Sequence, residues 1–342
     1  MVSHGLLFAA IAAAAVFALT AWLTAWVRGY AIRRGMSDIP NARSLHSAPT
    51  PRGGGLAIVI VFFTALALLS WLQLIPSNLA WALIGGGGLV AWIGWRDDQR
   101  HVAIKWRLLV HAIAAAWGVY WLGETTFLAA GLPAAWMWVE RGVIVLAILW
   151  LTNLYNFMDG GDGFASAQAL CAAGAGSFLL YAAGAEGLAL ASLMLAATSA
   201  GFLVWNWPPA SIFMGDVGSG LLGFSFAMLA LASSQHGTVP VELWALLLAV
   251  FILDTTYTLL ARMWRKEPWY SAHCSHTYQR LIQSGHSHRQ VLWGLVTVNA
   301  VVLWPLSVWV WLHPSTWPVV LLLIALSGWM VWWRVQRDNS AS

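Results

Sequence analysis

Charge is scarce in this sequence. Asp, Glu, Lys and Arg make up 9% of its 342 residues, where a soluble domain carries about a quarter. With 60% of residues hydrophobic and a mean hydropathy of +0.71, a soluble globular enzyme is excluded and a polytopic membrane protein remains. Long polar stretches are missing too, so residues 1–342 are read as one membrane-embedded domain. The only cysteines are Cys171 in an apolar run and Cys274 in a predicted loop; two at such positions imply neither a disulfide framework nor a structural zinc site. The first apolar run, about Leu6 to Val27, lacks a basic segment ahead of it and has Arg28, Arg33 and Arg34 behind it. It is read as a retained span, not a signal peptide. No nucleic-acid partner is expected.

What is abundant is apolar length. At about 20 residues per crossing the runs give an all-α bundle of about 10–11 transmembrane helices. They lie near 5–28, 54–73, 79–95, 106–123, 136–153, 163–183, 187–205, 217–234, 241–261, 291–312 and 316–334. The short stretch Thr125–Pro133 is expected at the outer surface. The 25 Trp residues fit the class, since Trp collects at bilayer interfaces. Every one of the 17 Lys and Arg except Arg141 falls after span 1 (Arg43 among them), span 3 or span 9, or in the tail. With an odd number of spans these lie on one side. Positive-inside asymmetry then puts the N-terminus outside and the C-terminus in the cytoplasm. Arg141, on the outer face, follows Glu140 and is read as its partner.

The few acidic residues are not scattered. There are 13, and five sit in three polar islands: Asp97-Asp98, the stretch Asn153 to Gly163 with Asn156, Asp159 and Asp162, and Gly215-Asp216. A fourth island, His273 to His276, carries no acid. Carboxylates beside hydrocarbon are costly, so they are functional candidates by default. The topology puts all four islands on the cytoplasmic side, in loops near 29–53, 96–106, 154–162, 206–216 and 262–290. One site is expected there. Its oxygen ligands suit Mg²⁺, which keeps several waters and partners substrate phosphates. Arg52, Lys105, Arg107, His276 and Arg280 would ring it with positive charge, a setting for a polyanion such as a diphosphate. Asp159 and Asp162, three apart, would share a face on a helical turn. Gly53–Gly55 would either bind an anion at the start of a helix or give a flexible entry to span 2.

Other polar residues have plainer readings. Gly85–Gly88 is read as close helix packing, and Asp254 as a structural hydrogen-bonding group between helices. His101, His286 and His288 are read as solvated loop residues. A transporter would also explain polar residues among spans. Its site would lie near the bilayer midplane with paired internal repeats, and neither is visible.

These islands resemble, over about Asp38 to Arg289, the polyprenyl-phosphate N-acetylhexosamine-1-phosphate transferases of glycosyltransferase family 4, the WecA-like and MraY-like enzymes. The Asn-x-x-Asn-x-x-Asp-Gly-x-Asp-Gly pattern is Asn153–Gly163. Phe-Met-Gly-Asp-x-Gly-Ser is Phe213–Ser219, and Asp97-Asp98 is followed by Lys105 and Arg107. The stretches from Asp38 to His46 and Pro49 to Gly55 look like the WbpL-like branch, which starts O-antigen, and so lipopolysaccharide, synthesis. Two features depart from the pattern. His101 stands where a third Asp is frequent, and the His-x-His-His motif reads His276-Thr-Tyr278-Gln279 with Cys274 ahead of it.

The resemblance implies that the phosphate of undecaprenyl phosphate attacks the sugar-bearing phosphorus of a UDP-N-acetyl sugar at the cytoplasmic face of the bacterial inner membrane, releasing UMP. It implies Asp216 as principal ligand of Mg²⁺ (or Mn²⁺), helped by Asn156 or Asp159, and a nucleotide contact at Asp162. Asp97 and Asp98 would position or deprotonate the acceptor. Asp159 and His276 complete the catalytic candidates, and Arg52, Lys105, Arg107, Asn153, His273 and Arg280 the substrate-binding ones. A homodimer is a candidate assembly. The muramoyl-pentapeptide transferase of peptidoglycan synthesis is the alternative within the family; the absence of a clear His-His-x-x-Glu loop speaks against it.

Overall fold

With no water inside a bilayer to satisfy backbone N–H and C=O groups, an apolar chain crosses it as helices or a closed barrel, and helices are what form. The computed structural model describes residues 2–40, 45–46, 48–123, 134–268 and 273–338; Arg43 and the Thr125–Pro133 stretch lie outside them. The helices in chain order are α1 (Val2–Arg33), α2 (Gly55–Trp71), α3 (Ser77–Gln99), α4 (Ile104–Leu122), α5 (Ala134–Phe157), α6 (Phe164–Ala182) and α7 (Glu186–Asn206). There follow α8 (Asp216–Gln235), α9 (Val241–Leu247), α10 (Ala249–Trp264), α11 (Thr277–Gln283), α12 (His288–Leu312) and α13 (Trp317–Asp338). Two short strands, β1 (Ser37–Asp38) and β2 (Thr50–Pro51), pair antiparallel with Asp38 opposite Thr50.

Each expected span is occupied by helix, with two differences. Among the described residues, eight helices are long and apolar enough to cross a membrane, or nine if α9 and α10 form one broken span. The two others fall short of that measure: α2 has 17 residues, and α4 opens with Lys105 and Arg107. The expected span 241–261 is not one helix. It bends by 79° between α9 and α10. The bend frees the Leu247 carbonyl, and the Gln168 side chain of α6 donates to it at 2.8 Å. Asn299 of α12 holds Gln168 in turn, its Nδ2 donating to the Gln168 Oε1 at 2.8 Å. A side chain entering the backbone ladder is a recognised cause of a sharp kink.

Uniform hydrophobicity leaves open which helix is central, and small residues settle it. In α8, Gly218 packs so tightly that a Cβ there would come 2.7 Å from the Gly55 Cα of α2. One at Gly223 would come 2.7 Å from the Leu151 carbonyl of α5. Such contacts need glycine, and α8 is accordingly 94% buried. By contrast α1, equally apolar, has little of its most apolar stretch buried and offers Leu7, Ile11 and Trp22 outward, as a lipid-facing helix does. The glycines of α3 pack as expected: side chains at Gly85, Gly86 and Gly87 would strike Trp117, Phe224 and Leu221.

Candidate active site

The ends of α3 and α5, the starts of α4 and α8 and the β2–α2 turn meet at one end of the bundle. The chain brings them together by backbone first. Phe213 N–H donates to the Pro51 carbonyl at 2.8 Å, and Gly54 and Gly55 N–H donate to the Phe213 and Met214 carbonyls at 2.9 Å. The N–H groups of Gly54 and Gly55 are spent on this zip, so they leave no anion nest at 54–55, and the entry to α2 is held by backbone hydrogen bonds and not flexible. The zip sets Arg52 beside Asp216. Gly215 between them has φ +77°, and a Cβ there would collide with the Asp98 carboxylate, so glycine is required.

Asp98 is completely enclosed. One oxygen accepts from the Asp216 N–H at 3.0 Å and the other from Val217 N–H at 3.2 Å, which caps the start of α8. Arg52 Nε lies 2.8 Å from the first oxygen. Asp97 accepts from Val102 N–H at 2.7 Å and from Arg107 Nη1 at 3.1 Å. Asp216 stands between two guanidiniums, with Arg52 Nη2 3.0 Å from Oδ1 and Arg107 Nη2 2.6 Å from Oδ2. The second contact is close but badly aligned, so Oδ2 is buried without a hydrogen-bond partner. Asn156 on the last turn of α5 accepts from Arg107 Nη2 at 3.3 Å and donates to Ser219 Oγ at 2.9 Å.

Asp159 completes the group. Burial and the neighbouring Asp216 carboxylate push it well above the usual carboxylate range. It sits in the loop after α5, not on a helical turn, so it shares no face with Asp162. Asp162 turns aside instead. It accepts from Ala210 N–H at 3.1 Å, lies 3.5 Å from His288 Nδ1, and His288 Nε2 reaches the Leu45 carbonyl at 3.1 Å. His288 is therefore a half-buried tie between three segments, not a solvated loop residue.

A cavity of about 580 Å³ is lined by Arg52, Asn156, Asp159, Asp216, His273 and Cys274, within the range of small-ligand pockets; Asp97, Asp98, Arg107 and Asp162 are not on its wall. Asp38, His46 and Asn206 also line it. His276 does not. It is 2% exposed, and burial, with Arg262 nearby, lowers it to about 4. Next to it Asp254 accepts twice from Thr277 N–H, at 2.9 and 3.0 Å, and so caps α11; the structural reading of Asp254 holds. Burial, with the neighbouring His276 ring and Arg262, lowers His273 to about 3, so it faces the cavity neutral. Three further candidates stay off the cavity wall. Lys105 is exposed over the Trp106 ring at 5.6 Å, Asn153 bonds back to the Leu149 carbonyl at 2.7 Å, and Arg280 Nε is enclosed without a partner.

The residues that sequence reasoning passed over act mainly through backbone. Tyr278 Oη accepts from Gly160 N–H at 3.0 Å and pins the loop that carries Asp159. Asn206 Oδ1 accepts from Gly163 N–H at 3.0 Å. Tyr278 was visible only as a break in the histidine motif, and nothing local marked Asn206.

Among the described residues no three His, Cys, Asp or Glu side chains converge as a metal cluster. A hard cation does not need three. It takes one or two carboxylates and keeps its waters, and the Asp216 carboxylate, whose buried Oδ2 makes no aligned hydrogen bond, is with Asn156 and Asp159 an oxygen donor set of that kind.

The sequence of residues 79–234 matches the model of "Glycosyl transferase family 4". A decaprenyl-phosphate N-acetylglucosaminephosphotransferase of Mycolicibacterium smegmatis is 32% identical over 328 residues, covering 82% of this chain and 79% of its own length. A probable undecaprenyl-phosphate N-acetylglucosaminyl 1-phosphate transferase of Bacillus subtilis is 28% identical over 301 residues, 84% and 82% of the two chains. A phospho-N-acetylmuramoyl-pentapeptide-transferase of Lactiplantibacillus plantarum is 31% identical over 226 residues, 62% and 68%. The matched segment opens near the start of α3 and closes near the end of α8, so it contains every carboxylate of the cluster, and with relatives alike over most of their length the chain belongs to glycosyl transferase family 4.

Proposed function

We propose that this protein transfers an N-acetylhexosamine-1-phosphate from a UDP-sugar to undecaprenyl phosphate and releases UMP. One observation carries the reading: a family 4 chain gathers four carboxylates and two guanidiniums at the ends of its apolar helices, and Arg52, Asp159 and Asp216 of that group line a cavity of about 580 Å³. A lipid-tethered phosphate must react at such a boundary. Phosphoryl transfer asks the protein chiefly for in-line positioning and charge neutralisation. Arg52 and Arg107 supply fixed positive charge for the diphosphate, and Asp98 fixes the start of α8 and with it Asp216.

Asp216, with Asn156 and Asp159, would hold Mg²⁺ or Mn²⁺, which when bound neutralises phosphate oxygens. The acceptor phosphate is already a nucleophile near neutral pH, so Asp97, tied to Arg107 and Val102 N–H, serves best as a positioning group. The one-sided distribution of the basic residues supports a cytoplasmic position for this end, at the inner membrane, where the product would begin a lipid-linked polysaccharide such as O-antigen. A transporter reading has no support in the family or in the position of the cluster.

Purified protein incubated with radiolabelled UDP-sugar, undecaprenyl phosphate and Mg²⁺ should yield lipid-extractable label and UMP in equal amounts. Label that never enters the lipid phase, across a panel of UDP-N-acetylglucosamine, UDP-N-acetylfucosamine, UDP-N-acetylquinovosamine and UDP-muramoyl-pentapeptide, refutes the proposal. The donor that works names the sugar, and the last one points to the peptidoglycan enzyme. Chelating the divalent ion should stop both products together.

A further inference from the structure

The two arginines that clamp Asp216 each hold a second carboxylate as well. Arg52 holds Asp98 through Nε at 2.8 Å and Asp216 through Nη2 at 3.0 Å. Arg107 holds Asp97 through Nη1 at 3.1 Å and Asp216 through Nη2 at 2.6 Å. In both cases the nitrogen on Asp216 differs from the nitrogen on the Asp pair. A guanidinium is a planar fork that can keep one carboxylate while releasing another. Arg52 is also one-third exposed and lines the cavity.

The charges do not balance as they stand. Four carboxylates, Asp97, Asp98, Asp159 and Asp216, face two guanidiniums in a poorly solvated place, so fixed positive charge can neutralise at most two of them. The oxygen that Arg107 crowds, Asp216 Oδ2, is the one with no hydrogen bond. A cation bound to Asp216 and two guanidinium nitrogens within 3.0 Å of the same carboxylate cannot coexist without strong repulsion.

We propose that Arg52 and Arg107 are exchangeable counter-ions of Asp216. A divalent cation that takes Asp216 displaces Nη2 of both arginines, which stay anchored to Asp98 and Asp97, and Arg52, on the cavity wall, presents its released nitrogen to the phosphates entering there. Cation binding and diphosphate binding are thereby coupled, and the Asp97-Asp98 pair works as the anchor that keeps the arginines in reach. No bond is made or broken in the exchange. It rests on the metal-assisted transferase reading above and adds to it a competition between the protein's own cations and the bound one.

The test uses the whole protein in detergent without substrate. Mn²⁺ binding followed by electron paramagnetic resonance should tighten about 5-fold or more in Arg107→Gln and in Arg52→Gln, the size of an ordinary coupling between two sites. Arg107→Lys, which keeps the charge, should stay near the unsubstituted protein. In the same Gln variants with saturating Mn²⁺, UDP-sugar binding should weaken. A second measurement needs no variant: phenylglyoxal modification of Arg52 and Arg107, read by mass spectrometry, should speed up when Mg²⁺ is added. Mn²⁺ affinity that is unchanged or weaker in folded Gln variants, or Mg²⁺ that leaves arginine reactivity unchanged or lowers it, overturns the exchange. Asp216→Asn separates the two ideas. If it abolishes Mn²⁺ binding while the arginine variants behave as the unsubstituted chain, the exchange is wrong and the metal site stands. If the unsubstituted protein binds no Mn²⁺, both fall.

Discussion

Individual residues show most clearly why some chemistry was readable before the fold. Thirteen acids in 342 residues cannot be decoration beside hydrocarbon, and Asp97, Asp98, Asp159 and Asp216 do meet. Their partners were not readable. Arg52 is 164 positions from Asp216, and nothing local to Arg52 says that it will be spent on carboxylates. Lys105 and Arg107 read alike in sequence, yet two residues apart on α4 Lys105 faces outward over Trp106 and Arg107 enters the cluster.

Two outcomes follow at this scale. Asp216→Asn keeps size and removes the charge; it should lower UMP release by about 10²-fold or more, as loss of a transition-state charge contact does, with elution and melting behaviour close to the unsubstituted protein. Near-normal turnover at saturating Mg²⁺ would remove Asp216 from the centre. Gly215→Ala puts a methyl on Asp98 at φ +77°. It should cost about 1–3 kcal/mol of stability, read as a lower melting temperature, and an unaffected melt would contradict the close approach.

At the level of elements, every expected apolar run became helix because length and hydropathy are enough to decide that. The bend after α9 was invisible. Val241 to Ala261 reads as one apolar run, and the break depends on Gln168 and Asn299, which sit in other helices. The loop after α5 misled in the same way: three-residue spacing suggested a shared helical face, but the helix stops at Phe157, so Asp159 and Asp162 diverge.

The element that holds the loop is α11. Tyr278→Phe removes the oxygen that accepts Gly160 N–H; the freed loop should raise KM for the UDP-sugar several-fold with a smaller change in kcat. A large kcat loss with KM unchanged would place the Tyr278 hydroxyl at the chemistry instead. The start of α11 also predicts a pH response. His276 is lowered to about 4 by burial and Arg262, against about 6.5 in an unfolded chain. Between those values the unfolded state binds the proton and the folded state does not, so stability is full above pH 6.5 and declines as pH falls toward 4, by up to about 3 kcal/mol for this group. Melting temperature across that range should fall on acidification and recover partly in His276→Gln; a flat profile in both proteins would show that His276 charges freely in the fold.

For the whole molecule the decisive property is sidedness. The distribution of Lys and Arg argues that the end bearing Arg52 and Arg107 faces the cytoplasm, and the fold adds a distance. Arg141 and Asn156 lie on the same helix, α5, fifteen residues apart and so about 22 Å along the axis. Arg141 sits over Trp138 at 5.0 Å beside a second, apolar cavity of about 690 Å³, remote from the carboxylates. The two native cysteines make sidedness testable without engineering, because Cys171 is buried in α6 while Cys274 lines the active cavity. A membrane-impermeant maleimide should modify Cys274 in inside-out vesicles and not in intact cells, Cys171 should stay silent in both, and UDP-sugar with Mg²⁺ should slow the reaction at Cys274. As an independent arm, Arg141→Ala should change turnover less than about 2-fold, as a surface change far from the chemistry does. Modification of Cys274 from outside intact cells would invert the bilayer orientation, and no cytoplasmic nucleotide-sugar could then reach the carboxylates.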